Sequence, residues 1–113
     1  EISKFGQARG AEKNTFMGLS GFGDLVLTCS DDLSRNRRFG IEIGAMEGSI
    51  DSILLEEHLV EGFHTAMALA ESGEINFDNF PLIFEVISVL KNHRRPRESL
   101  ERLLGRDPKC EDF

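Results

Sequence analysis

Residues 18–40 read GLSGFGDLVLTCSDDLSRNRRFG, and no other part of the chain has so unusual a composition. Gly18, Gly21 and Gly23 fall within six residues, where they let the backbone approach a neighbour closely or take a positive φ. Their order is not G-x-G-x-x-G, and no strand pattern precedes them, so this chain does not itself hold a dinucleotide-binding Rossmann unit. Asp24 follows at once and suits a helix N-terminus, as a cap or as a group turned toward a ligand. Further on, Arg35, Arg37 and Arg38 cluster within four residues. Guanidinium groups present planar donor forks that match phosphate oxygens, and Ser34 and Asn36 add neutral donors beside them. If Ser34 caps a helix, the free N–H groups just after it also point at an anion. The segment therefore suits a phosphate ester or a pyrophosphate. The alternative is a solvated basic face paired with Asp31 and Asp32.

Outward from this stretch the periodicity is helical. Val, Ile and Thr rarely alternate with polar residues, and no Asn-Gly or Asp-Gly hairpin turn occurs. Residues 1–13 place Ile2, Phe5 and Ala8 on one face with Gly6 and Gly10. Thr15–Leu19 and Asp24–Cys29 read as short helices around a glycine bend. Ser34 opens a helix through about Met46, on which Gly40, Gly44 and Gly48 recur every four residues, a spacing that suits close packing against another helix. Ser49 opens a further helix, with Ile50, Ile53 and Leu54, that ends at Glu56-Glu57. Phe63–Glu71 carries Phe63, Ala66, Met67 and Ala70 at helical spacing. Pro81 begins a strongly apolar helix, and Pro96 begins a last one that Gly105 can stop. The expectation is an all-α, compact multi-helix domain over residues 1–113, with six or seven helices and no second domain.

Composition narrows the function classes. The 113 residues hold 13 Lys plus Arg against 20 Asp plus Glu, a net charge of −7. An acidic total argues against a general nucleic-acid binder, and the arginines from Arg94 to Arg106 have no interleaved aromatics for stacking; they read as the polar face of the last helices. No apolar run is long enough to span a membrane. Hydrophobic content of 40% is globular, and at this length about two-thirds of the unfolded surface should be buried, with the nine Phe mostly in the core. The two cysteines, Cys29 and Cys110, form no framework and no metal spacing, which points to a reduced, cytosolic setting. Glu61-x-x-His64 is half of a carboxylate metal motif whose other half is missing, and His58 and His93 stand at no ligand spacing, so no metal is expected. The chain begins with Glu1 and has no signal-peptide pattern, so the numbering is expected to begin inside a longer protein.

The Gly-Asp-Leu block at 23–25 and the Ser-Arg-Asn-Arg block at 34–37 together resemble the C-terminal domain of bacterial NAD(P)-dependent glycerol-3-phosphate dehydrogenase. The likeness runs along nearly the whole chain, through GAEKNTFMG at 10–18, LVEGFHTA at 59–66, FPLIFEVISVL at 80–90 and LLGRDPK at 103–109. It implies a helical domain of the 6-phosphogluconate-dehydrogenase C-terminal type, separate from an N-terminal Rossmann domain that holds NAD or NADP. It implies interconversion of dihydroxyacetone phosphate and glycerol 3-phosphate, supplying phospholipid synthesis. By the same resemblance Asp24, Ser34, Arg35 and Asn36 bind the substrate, and Arg35, Leu59 and Glu61 touch the cofactor. Thr28 is a weaker candidate on the same wall.

The family's general-acid lysine, needed at the developing alkoxide, lies in an Ala-x-Lys-Asn motif well upstream. Ala11-Glu12-Lys13-Asn14 matches that pattern only eleven residues before Asp24, so Lys13 is not assigned and no catalytic residue is placed in this chain. The resemblance further implies a small phosphorylated substrate, the Rossmann domain as partner and a possible homodimer. The alternatives are a stand-alone helical dimerisation module and a phospholigand-binding module, both without catalysis. For the 113-residue chain alone, no dehydrogenase activity is expected.

Overall fold

The computed structural model describes residues 1–31, 34–45 and 60–107, and among them every regular element is a helix. The helix expected from Ser49 to Glu57, together with Leu59, His58, Asp32, Gly48 and Cys110, lies outside the described residues. The chain forms two compact units, Glu1–Thr65 and Ala66–Phe113.

In the first unit α1 spans Ile2–Ala8, shorter than the apolar face of residues 1–13 suggests. Its end explains why. Gly10 takes φ +92°, its N–H reaches the Gln7 carbonyl at 3.0 Å, and the Ala11 N–H reaches the Gly6 carbonyl at 2.9 Å. This is a Schellman motif, which satisfies carbonyls the helix leaves unpaired and turns the chain away. Helix α2 spans Lys13–Met17, a single π-helical turn covers Leu19–Gly23, and α3 runs Asp24–Ser30. The wide turn is set by the Gly23 N–H, which donates to the Gly18 carbonyl five residues back at 3.3 Å. Of the three glycines here, Gly21 is the one that must lack a side chain. A Cβ on it would sit 2.5 Å from the Phe16 carbonyl oxygen. The ring of Phe16 in turn fills the space against Gly6.

Helix α4 spans Arg35–Ala45 and buries Phe39 and Ile43, one turn apart, on its inner face. Among the described residues no helix packs against the glycines of this spacing, and Gly48 lies outside them. Gly40 and Gly44 are exposed, and a Cβ added to either would meet no atom of the described residues within 4 Å. After buried Val60, helix α5 covers Glu61–Ser72, and its Phe63 ring meets Phe39 edge-on at 6.3 Å.

The second unit holds the rest of α5, then α6 (Pro81–Asn92) and α7 (Pro96–Leu104). Gly73, at φ +72°, turns the chain out of α5. Both later helices open on proline, whose fixed φ suits the first helical position. Helix α6 stops at His93, which takes a left-handed conformation at φ 57° while the Arg94 N–H returns to the Ser88 carbonyl at 3.1 Å. Phe80, Ile87 and Leu90 form the apolar core of this unit.

Two charged residues of the arginine-rich tail are not the solvated polar face the sequence suggests. Arg94 and Arg102 each place a guanidinium nitrogen 2.7 Å from an oxygen of Glu85, whose side chain is 1% exposed. The aromatic residues are likewise less uniformly internal than their spacing implies. Phe39 and Phe80 are buried, Phe5, Phe16, Phe63, Phe77 and Phe84 are half-buried, and Phe22 lies open.

Candidate functional site

The start of α4 is built as the sequence leads one to expect. The Ser34 hydroxyl accepts the Arg37 N–H at 3.3 Å, and the Ser34 carbonyl accepts the Arg38 N–H at 3.0 Å, so Ser34 is the N-cap. The helix opens there with its positive dipole end and unpaired N–H groups on the side of Arg35 and Asn36. The three arginines then part company. Arg37 is half-buried and donates through Nε to the Cys29 carbonyl at 3.0 Å, tying the end of α3 to α4. Arg35 and Arg38 are exposed, and no ion pair engages either of them among the described residues. The basic cluster is thus one structural arginine and two that face solvent.

Asn36 is the least expected member. Its Oδ1 accepts the backbone N–H of Gly62 at 2.9 Å, across 26 residues of chain. Gly62 lies in the first turn of α5, where N–H groups have no partner within the helix. Asn36 therefore caps α5 from outside. Arg35 and Glu61 are the immediate chain predecessors of the two bonded residues. The starts of α4 and α5 are thereby joined in one place, with exposed Glu61 beside the arginine-bearing turn.

Asp24 stands apart from this group. It is the first residue of α3, with Gly23 at the N-cap, so it does not cap the helix; its carboxylate is exposed. No hydrogen bond or ion pair joins it to Ser34, Arg35 or Asn36. Thr28 is half-buried one turn further along α3. Leu59 is not among the described residues. His64 is exposed with its ring edge-on to Phe63 at 5.7 Å, and no group of three or more metal-ligating side chains gathers among the described residues.

Sequence reasoning missed two features here. Gly62 was legible only as a residue ahead of an apolar helix, since nothing local ties it to Asn36. The Glu85 carboxylate with Arg94 and Arg102 also went unseen, because the pairing depends on how α6 and α7 turn toward one another. Among the described residues no helix is long and apolar enough to cross a membrane.

Comparison with known proteins places the chain. Residues 1–101 match the family model described as NAD-dependent glycerol-3-phosphate dehydrogenase C-terminus. Among curated proteins, the glycerol-3-phosphate dehydrogenase [NAD(P)+] of Thioalkalivibrio sulfidiphilus is 44% identical over 112 residues, 98% of this chain and 33% of the relative. That of Dechloromonas aromatica is 43% identical over 98% of this chain and 34% of the relative, and that of Methylobacillus flagellatus 39% identical over the same shares. The chain thus spans about a third of the length of the curated relatives it matches. No solved structure matches it. With its helical architecture and the Gly-Asp-Leu and Ser-Arg-Asn-Arg blocks in place, the chain belongs to the family of the C-terminal domain of NAD-dependent glycerol-3-phosphate dehydrogenases.

Proposed function

We propose that this chain is the substrate-binding helical part of an NAD(P)-dependent glycerol-3-phosphate dehydrogenase, which interconverts dihydroxyacetone phosphate and glycerol 3-phosphate. The observation that carries this reading is the capped start of α4. There Ser34, Arg35 and Asn36 surround a helix N-terminus, and Arg35 is held by no ion pair among the described residues. A phosphate monoester is a dianion with acceptor oxygens only, and Arg35 with the unpaired N–H groups at the start of α4 supplies donors and positive potential.

The roles are those that the family resemblance implies. Arg35 grips the substrate phosphate as a planar fork, with Ser34 and Asn36 as neutral donors. Asp24, an exposed carboxylate at the start of α3, lines the far side of the substrate, where hydroxyl groups rather than phosphate need acceptors. The nicotinamide cofactor, NAD or NADP, supplies or takes the hydride at the carbinol carbon. The described residues fit such a cofactor at its edge only: they form no strand and so no dinucleotide-binding unit. They do offer Arg35 for a pyrophosphate and exposed Glu61 for ribose hydroxyls. Leu59 is the proposed apolar contact beside Glu61. The bulk of the cofactor site belongs to a Rossmann domain outside these residues, the partner against which this part closes, and the lysine that protonates the alkoxide oxygen lies in the Ala-x-Lys-Asn motif upstream.

In the full-length protein Arg35→Ala removes a charge-assisted hydrogen bond worth about 1.5–3 kcal/mol, which lowers kcat/KM for dihydroxyacetone phosphate roughly 10- to 150-fold. An unchanged kcat/KM sinks the Arg35 assignment. The 113-residue chain alone, without the upstream general-acid lysine or a dinucleotide fold, does not oxidise NADPH in the presence of dihydroxyacetone phosphate; measurable turnover by the purified chain contradicts this division of labour.

A further inference from the structure

We infer that Gly62 is a positioning residue for the phosphate grip: its backbone N–H and its lack of a side chain fix the Asn36 carboxamide with both amide hydrogens left for the ligand. This rests on the reading of α4 as the phosphate-binding turn and deepens it.

A carboxamide has one acceptor end and one donor end that are nearly the same shape, so its orientation must be set by a neighbour. Here the neighbour is a backbone N–H, which can only donate. The Asn36 oxygen is therefore the atom facing Gly62 at 2.9 Å, and Nδ2 with its two hydrogens is what remains for another partner. Phosphate oxygens only accept. A carboxamide turned the other way would present its oxygen to them and leave the first turn of α5 without its cap. One hydrogen bond thus selects the orientation that a phosphate requires.

The second observation is steric and independent of the first. A Cβ built on Gly62 would lie 2.8 Å from Oδ1 and 3.0 Å from Cγ of Asn36. Gly62 has no left-handed conformation to explain it, since it sits inside α5. What excludes a side chain is the Asn36 carboxamide itself. Any larger residue must push that group aside, and with it the donors beside Arg35. The same contact holds Glu61, the residue before Gly62, next to the turn that carries Arg35, so substrate and cofactor contacts share one joint.

The test uses the full-length protein, with KM for glycerol 3-phosphate, KM for the nicotinamide cofactor, kcat and melting temperature measured for four variants. Gly62→Ala raises KM for glycerol 3-phosphate by roughly tenfold, the scale of one misplaced hydrogen bond to a charged group. Its kcat changes less than its KM, and its melting temperature falls no further than that of Asn36→Ala, which loses the same cap. Asn36→Asp keeps an oxygen toward Gly62 but removes both donor hydrogens and adds a negative charge. It raises KM further while leaving melting nearly unchanged. Asn36→Ala removes the cap as well, and its melting temperature falls below that of Asn36→Asp. An unchanged KM in Gly62→Ala beside a raised KM in Asn36→Asp and Arg35→Ala overturns the role of Gly62 and leaves the phosphate turn standing. An unchanged KM in Arg35→Ala and Asn36→Asp overturns the phosphate turn itself. Should Gly62→Ala fail to fold, equal melting temperatures for Asn36→Asp and Asn36→Ala overturn the proposal, because the Gly62 N–H would then not depend on that oxygen.

Discussion

Glu85 shows how much one residue can hold. Burial by itself raises a carboxyl toward neutrality. Hydrogen bonds from Arg102, the Ser99 hydroxyl and Arg94, together with the Arg94 charge, outweigh that effect and hold Glu85 below the ordinary glutamate value. The buried Ser99 Oγ meets no partner in full hydrogen-bond geometry, so its share is a nearby dipole rather than a formed bond, and the two arginines at 2.7 Å do most of the holding. Arg102 also lies over the Phe77 ring at 5.0 Å, and Phe77 meets Phe84 edge-on at 6.0 Å, so the guanidinium is braced from its other side. The folded value is depressed, so the stability contributed is fully present above the unfolded value near 4.5 and is lost as pH falls through the lower folded value. Melting temperature should accordingly drop on acidification below about pH 4.5, where the unfolded carboxyl begins to bind protons. Glu85→Gln should cost about 1–3 kcal/mol at neutral pH, below the full penalty of a broken buried pair because both arginines can still reach water, and should flatten that acid limb. A variant that melts like the parent at pH 7 refutes the clasp.

At the scale of elements, glycines of the same sequence class do opposite things. Gly21 closes the π turn against the Phe16 carbonyl, a rigid backbone atom that cannot give way to a Cβ. Gly44 lies on an exposed helical face with nothing within 4 Å of an added Cβ among the described residues. Gly21→Ala is therefore expected to lower stability by about 1–3 kcal/mol through overpacking. Gly44→Ala should raise it by about 0.5–1 kcal/mol, since alanine loses less chain entropy in a helix. Thermal melts of the two variants of the full-length protein decide this pair. A fall in Gly44→Ala means that a part of the protein outside the described residues packs on that face of α4. Helix positions were largely legible in the sequence because proline, serine caps and apolar spacing are local signals; α4, α6 and α7 begin at or beside the residues the sequence marks. The end of α1 was not, because a Schellman motif at Gly10 and an undisturbed helix share the same apolar spacing up to that point.

At the scale of the whole molecule, the first unit keeps little of its apolar surface to itself. Leu19 is 91% exposed and Leu27 70%, and Phe22, Leu25 and Val26 are also open to solvent. Contiguous apolar surface of this kind on a short stretch is covered in a working protein. The large core that length alone leads one to expect is accordingly not complete within the described residues. The isolated 113-residue chain should self-associate at micromolar concentration, and the paired change Leu19→Asp with Leu27→Asp should return it toward monomer in sedimentation velocity. A monomeric parent chain shows instead that this surface is covered within the chain.

The sequence by itself determined the helical class, the family and the turn that carries Ser34, Arg35 and Asn36. These depend on side-chain chemistry and spacing within a few residues, which the chain order preserves. Only the tertiary structure decided that Arg37 serves the fold while Arg35 and Arg38 face solvent, that Glu85 anchors two arginines, and that Asn36 meets Gly62. Each of these joins residues from different elements, and a hydrogen bond only about 3 Å long across 26 residues of chain leaves no periodicity for the sequence to show.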